Sequence, residues 1–161
     1  MRRILKLKAK SGGRNPDGKG KKMDTCFLCR KHKGLEEAPP GGYIYEDEHW
    51  MVCHAPARLG PLGTLFIESK RHFVDYSEMT IEEAETLGKV LKDIYLALRR
   101  HTDAERIYQV TTVEGVPHFH TWLVPRRKEE AERGLKFLAR DDACTQPESE
   151  ALAGLMRSSM A

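Results

Sequence analysis

Short alternating runs of apolar and polar residues occupy the first half of the chain, and a helical period follows them. Tyr43-Ile44-Tyr45 and His49 to Cys53 are two β-prone runs separated by the polar turn Glu46-Asp47-Glu48, which predicts a hairpin. The Pro/Gly-rich stretches 39–42 and 55–63 read as loops, and Thr64 to Ile67 predicts a third strand. Ala84, Leu87, Leu91, Ile94 and Leu98 then recur at spacings of three and four, one stripe of an amphipathic helix. Thr80-Ile81-Glu82-Glu83 is a capping box that starts it, and Arg99, Arg100 and His101 suit the negative end of its dipole. Ile107 to Val113, rich in β-branched residues, predicts a fourth strand. After the turn Glu114-Gly115 a fifth strand is expected from Pro117 or His118 to Val124, ended by Pro125. From Lys128 the composition turns helical, and Thr145-Gln146-Pro147-Glu148 predicts a capped start before Ala151 to Met156. The pattern contains no internal repeat and describes an α+β fold: an antiparallel sheet, one long helix between its third and fourth strands, and a helical C-terminal extension.

A chain of 161 residues with 40% hydrophobic and 32% charged residues suits one globular domain. No run approaches the roughly 18 apolar residues of a membrane helix, and no apolar segment follows the N-terminal charges as a secretory signal would require. Residues 1 to 23 carry nine Lys/Arg against Asp17 alone, so the net charge of +3 conceals an acidic remainder. Residues 1–22 are therefore expected to form a basic disordered tail capable of weak contact with RNA or another polyanion. Residues 23–127 are expected to form the folded domain and 128–161 the helical extension. Four unevenly placed cysteines do not make a disulfide scaffold and point to a reducing, cytoplasmic setting.

The chemistry concentrates in two places. In Val116-Pro117-His118-Phe119-His120-Thr121-Trp122 a strand puts His118, His120 and Trp122 on one face, with same-face neighbours about 6.5 to 7 Å apart. Two imidazoles on one face bring donors and acceptors that must all be satisfied. Cys26-x-x-Cys29 has the spacing of a metal knuckle, although a redox pair or two buried small residues fit it equally. There is no second such pair, so histidines are the available partners. His72 and His118 each sit beside a predicted strand end, whereas His32, His49 and His101 read as surface residues. Cys53 reads as a small buried strand residue and Cys144 as a surface or interface residue.

Taken in order, Cys-x-x-Cys, the Tyr-Glu-Asp-Glu turn, Gly-Thr-Leu-Phe-Ile-Glu-Ser-Lys-Arg-His and Val-Pro-His-x-His with its following Pro-Arg resemble the histidine triad (HIT) superfamily of nucleotide hydrolases and transferases. The motifs run from about Cys26 to Arg126. The resemblance implies a five-stranded antiparallel sheet with a helix packed across it, in a homodimer. It implies that His120 attacks the α-phosphorus of a nucleotide to form a nucleotidyl-histidine, with a dinucleoside polyphosphate such as diadenosine tetraphosphate, or a phosphoramidate, as the substrate class. It also implies a structural zinc held by Cys26, Cys29, His72 and His118, a closed Cys₂His₂ set.

The sequence departs from the family pattern around the phosphates. Trp122 stands where the third histidine belongs, and it offers an N–H donor but no acceptor. Glu114 stands roughly where a phosphate-binding glutamine is expected, with Gln109 and Thr111 as possible replacements for the lost polar contacts. His54 takes the approximate place of the aspartate that holds the ribose. These changes leave open a zinc-stabilised nucleotide- or RNA-binding module with little catalysis, or a nucleotidyltransferase.

Overall fold

The computed structural model describes residues 25–160, so the basic tail lies outside the described residues. Five strands form one antiparallel sheet: β1 (Tyr43–Glu46), β2 (Trp50–His54), β3 (Leu65–Ser69), β4 (Ala104–Val110) and β5 (His120–Arg127). Their spatial order is β1-β2-β3-β5-β4, which leaves β1 and β4 at the edges. Helix α1 (Phe27–His32) precedes the sheet and α2 (Ile81–His101) links β3 to β4. A short α3 (Leu135–Leu138) and the longer α4 (Gln146–Met160) complete the chain. Among the described residues no helix is long and apolar enough to cross a membrane.

The α2 stripe buries Leu87, Val90, Ile94, Ala97 and Leu98 against one sheet face. There it meets Trp50 and Val52 of β2, Leu65 and Ile67 of β3, and Phe119 and Leu123. Both arms of its capping box are made: Glu83 N–H donates to Thr80 Oγ1 at 3.2 Å, and Thr80 N–H donates to Glu83 Oε2 at 2.8 Å. Helix α4 joins the same core through Leu152, Ala153 and Met156, so part of the extension is built into the domain. Its approach to the loop before β1 requires glycine. Gly41 has φ +67°, and a Cβ there would meet Ala153 Cβ and the Glu150 carbonyl, each at 2.9 Å.

Several boundaries differ from the sequence expectation. Residue 128 onward shows turns rather than a continuous helix before α3, consistent with Gly134 at φ +58°. Strand β4 ends at Val110, and Val113, with φ +46°, turns the chain in the following loop. Strand β5 starts at His120, and it runs through Pro125 to Arg127. The β3 ladder stops at Leu123, so Pro125 has a strand neighbour only on its β4 side, opposite Ile107. A proline is tolerated where one side of a strand is open.

Candidate functional site

Strand parity sorts the two faces. Phe119 and Leu123 point into the α2 core, so His120 and Trp122 lie on the opposite face beside their β3 partners Glu68 and Phe66. Just before β5, the Phe119 ring stacks on Phe73 with centroids 5.0 Å apart, and its N–H donates to the Phe73 carbonyl at 2.6 Å. Each phenylalanine is core and each is preceded by a histidine. This pairing brings His72 and His118 together on the far side.

The four residues expected to bind metal meet there. The donor atoms of Cys26, Cys29, His72 and His118 all lie within 4.8 Å of one another. His118 Nδ1 is 3.4 Å from Cys26 Sγ, 3.5 Å from Cys29 Sγ and 3.2 Å from His72 Nδ1. Tetrahedral zinc with bonds of about 2.3 Å to sulfur and 2.0 to 2.1 Å to nitrogen would set such donors about 3.3 to 3.8 Å apart, so the set fits the ion. His118 Nε2–H donates to the Ser69 carbonyl at 2.6 Å, which turns the Nδ1 lone pair toward the thiols. Burial pushes His118 down to about 4, so the ring is in the neutral form a ligand needs. Burial and the adjacent Cys26 push the Cys29 thiol up to about 11, and a dication is what would convert such a pair to thiolates.

His120 is nearly buried, at 7% exposure. Its Nδ1–H donates to the His118 carbonyl at 2.7 Å, which fixes the tautomer and leaves the Nε2 lone pair unprotonated. Burial lowers its pKa, outweighing the opposite effects of that hydrogen bond and of Glu68. The arrangement is that of a neutral, oriented nitrogen nucleophile.

Beside it lies a buried polar cluster that the sequence reading did not anticipate. Glu68, fully buried, accepts from Lys31 Nζ at 2.7 Å and lies 3.0 Å from His32 Nε2. Lys31 Nζ also reaches Cys53 Sγ at 3.3 Å. Burial acts to raise Glu68, but His32 and Lys31 overcome it and hold the carboxyl below its ordinary range. For Lys31, burial is outweighed by Cys53 and Glu68, and the ammonium is held above the usual lysine range. His32 is thus a partner of Glu68 rather than a surface residue. Both side chains come from α1, which ends in a glycine turn: Gly34 has φ +71° and Leu35 N–H donates to the Arg30 carbonyl at 2.9 Å. Six residues are too few to hold a helix alone, so α1 depends on its anchors to the sheet.

The residues expected to contact substrate are placed unevenly. Trp122 shares the His120 face but is buried, edge-on to Phe66 at 4.5 Å and clustered with Val124 and Phe137 of α3. The α3 segment is held over that end of the face, with Gly134 N–H donating to Tyr108 Oη at 2.8 Å. His54 lies on the α2 side of β2, in line with Trp50 and Val52. There it donates from Nδ1 to the Ala55 carbonyl (2.6 Å) and accepts from Gly63 N–H (3.0 Å), so it staples a loop and does not face the site. Gln109 pairs with Leu123 and lines a groove with Leu91, Tyr95 and Leu96 on the α2 side. Thr111 bonds Thr121 Oγ1 at 2.9 Å, again away from His120. Glu114 is exposed in the loop before β5.

No family model and no curated protein sequence matches the chain. Solved structures do. A Zn-bound histidine triad family protein from Mycobacterium smegmatis is 24% identical, with a TM-score of 0.66 over 86% of this chain and 94% of that one. A hypothetical histidine triad nucleotide-binding protein from Sulfolobus tokodaii is 20% identical, with a TM-score of 0.67 over 84% and 91%. The diadenosine triphosphate hydrolase of Plasmodium falciparum, solved with cyclomarin A, is 14% identical, with a TM-score of 0.59 over 78% and 80%. The chain has the histidine triad fold. The likeness covers more than the hundred or so residues that carry the motifs.

Proposed function

We propose that the protein is a nucleotide-processing enzyme of the histidine triad type, in which His120 attacks the α-phosphorus of a nucleotide. The observation that carries this reading is the His120 Nδ1–H bond to the His118 carbonyl, which leaves Nε2 as a neutral nucleophile. A dinucleoside polyphosphate or a nucleoside phosphoramidate is the substrate class, and hydrolysis the reaction. Cys26, Cys29, His72 and His118 would hold a zinc ion that fastens α1 to the sheet and supplies structural rather than Lewis-acid chemistry, since four protein ligands close its shell. A homodimer would form at the open β4 edge, where Leu96 of α2 is 55% exposed beside the groove lined by Leu91 and Tyr95.

Intact-protein mass measurement after brief mixing with diadenosine tetraphosphate tests the reading, with zinc determined on the same sample. A nucleotidyl adduct on the wild type and none on His120→Ala is expected. Full turnover by His120→Ala would overturn it. The burial of Trp122 among Val124 and Phe137 favours a second reading, a nucleotide-binding module with little catalysis, because the side chain at that position is packed in an apolar cluster. Nucleotide binding without turnover or adduct would establish it.

A further inference from the structure

Glu68 is the cross-strand partner of His120, and the two side chains rise from the same face. Cross-strand neighbours stand about 4.5 to 5.5 Å apart at Cβ. A fully buried carboxylate beside a nucleophilic imidazole is costly unless something uses its charge. Its ionisation is maintained by Lys31 Nζ at 2.7 Å and by His32 Nε2 at 3.0 Å, both delivered by α1.

The chemistry of the preceding section supplies the use. His120 Nε2 donates its lone pair to form an N–P bond, and the bond from phosphorus to the leaving-group oxygen breaks with its electron pair going to that oxygen. The ring keeps its Nδ1 proton on the His118 carbonyl, so the nucleotidyl-imidazole carries a full positive charge. In the second step water oxygen bonds to phosphorus, the N–P pair returns to Nε2, and the water proton leaves to solvent. The cation thus exists only between the two steps, in a site whose burial disfavours it. A carboxylate fixed beforehand next to the ring stabilises that charge as it develops.

We propose that Glu68 is a positioning residue for this reaction, acting through His120 by stabilising the cationic nucleotidyl-imidazolium, with Lys31 and His32 holding its carboxylate in place. The inference rests on the histidine-nucleophile reading. It gives an acidic residue in the middle of the sheet a purpose other than neutralising Lys31.

Single-turnover rapid-quench measurement of adduct formation and adduct hydrolysis tests it, on wild type, Glu68→Gln, Lys31→Met and the Lys31→Met/Glu68→Gln double variant, each checked for zinc content and nucleotide affinity. Glutamine keeps acceptors for Lys31 and His32, and the double variant removes both charges, so loss of folding does not mask the result. Glu68→Gln and the double variant are expected to form adduct about 300-fold more slowly, the factor a unit charge about 5 Å away is worth at an effective dielectric of about 20. Nucleotide affinity should be unchanged, and Lys31→Met should be slowed less than Glu68→Gln, because His32 still bonds the carboxylate. Recovery of the wild-type rate in the double variant would overturn the proposal by showing that Glu68 only balances Lys31. Absence of any adduct on the wild type would instead overturn the histidine-nucleophile reading, and this inference with it. Equal rates in wild type and Glu68→Gln would remove Glu68 alone.

Discussion

The backbone carbonyl of His118 holds the Nδ1 proton of His120 at 2.7 Å, while the His118 ring faces Cys26 and Cys29. One residue therefore serves both centres, the side chain toward the candidate metal cluster and the main chain toward the candidate nucleophile. Ser69 at the end of β3 and Phe73 in the segment after it fix it, through the Ser69 carbonyl on Nε2–H and through the Phe119 N–H bond to the Phe73 carbonyl. Order at one centre is order at the other.

The α2 cap can be tested without touching either centre. Thr80→Ala removes the acceptor of Glu83 N–H and leaves one early amide of α2 without its partner. A loss of about 1 kcal/mol in denaturant unfolding is expected, with metal content unchanged.

Phe137 carries more. It is buried against Trp122 and Val124 and tilted on Tyr108 with centroids 5.7 Å apart. Phe137→Ala should cost about 3 kcal/mol and shift tryptophan emission to longer wavelength as Trp122 is uncovered. Trp50 serves as an internal reference, since it sits in the other cluster. An unshifted spectrum would mean that α3 does not cover that end of the face.

His54 gives a pH signature. Burial lowers its pKa below the ordinary value, its hydrogen bond to the Ala55 carbonyl acting the other way without overcoming it. The folded protein therefore binds this proton less readily than the unfolded chain, whose histidine titrates at about 6.5. The stability that His54 contributes is present above that value and is lost as pH falls below it toward the folded pKa. Urea midpoints at about pH 7.5 and 5.5 should fall further in wild type than in His54→Gln, and identical falls would dismiss the assignment.

Most of the fold was readable because it follows local rules. The Thr80 box, the α2 stripe and the β-prone run of β2 are each set by neighbours a few residues apart, whereas the Cys26, Cys29, His72 and His118 set comes from the resemblance to the histidine triad family. The misplacements have equally local causes. Trp50 and Val52 are core, so the parity of β2 already sends His54 inward, and the same parity on β4 and β5 carries Gln109 and Thr111 to the α2 side. The Lys31, His32 and Glu68 cluster was hidden for another reason. The polar stretch after the Cys-x-x-Cys reads as a linker with His32 on the surface, and only the docking of α1 on the sheet brings Lys31 to a carboxylate 37 residues away. Pro125 reads as a stop because a proline interrupts a paired strand, whereas its β3 side is open in the sheet.

Metal removal tests the union of the two centres. Helix α1 has six residues and buries only Leu28 and Cys29, so what holds it is its contacts: the four-donor cluster at one end and the Lys31 and His32 bonds to Glu68 at the other. With a bound ion, the unfolded state lacks the preformed site and binding energy becomes folding energy. Stripping the protein with a strong chelator at neutral pH should lower its melting temperature by at least about 10 °C. The lost ion should also release α1, uncover Glu68 and open the backbone between Cys26 and Leu35 to limited proteolysis. Cys29→Ser should melt at the lower temperature from the start and respond little to chelator. If the wild type keeps both its melting temperature and its resistance to protease after the metal is gone, α1 is held by Glu68 and the apolar contacts alone, and the zinc assignment to Cys26, Cys29, His72 and His118 loses its structural purpose.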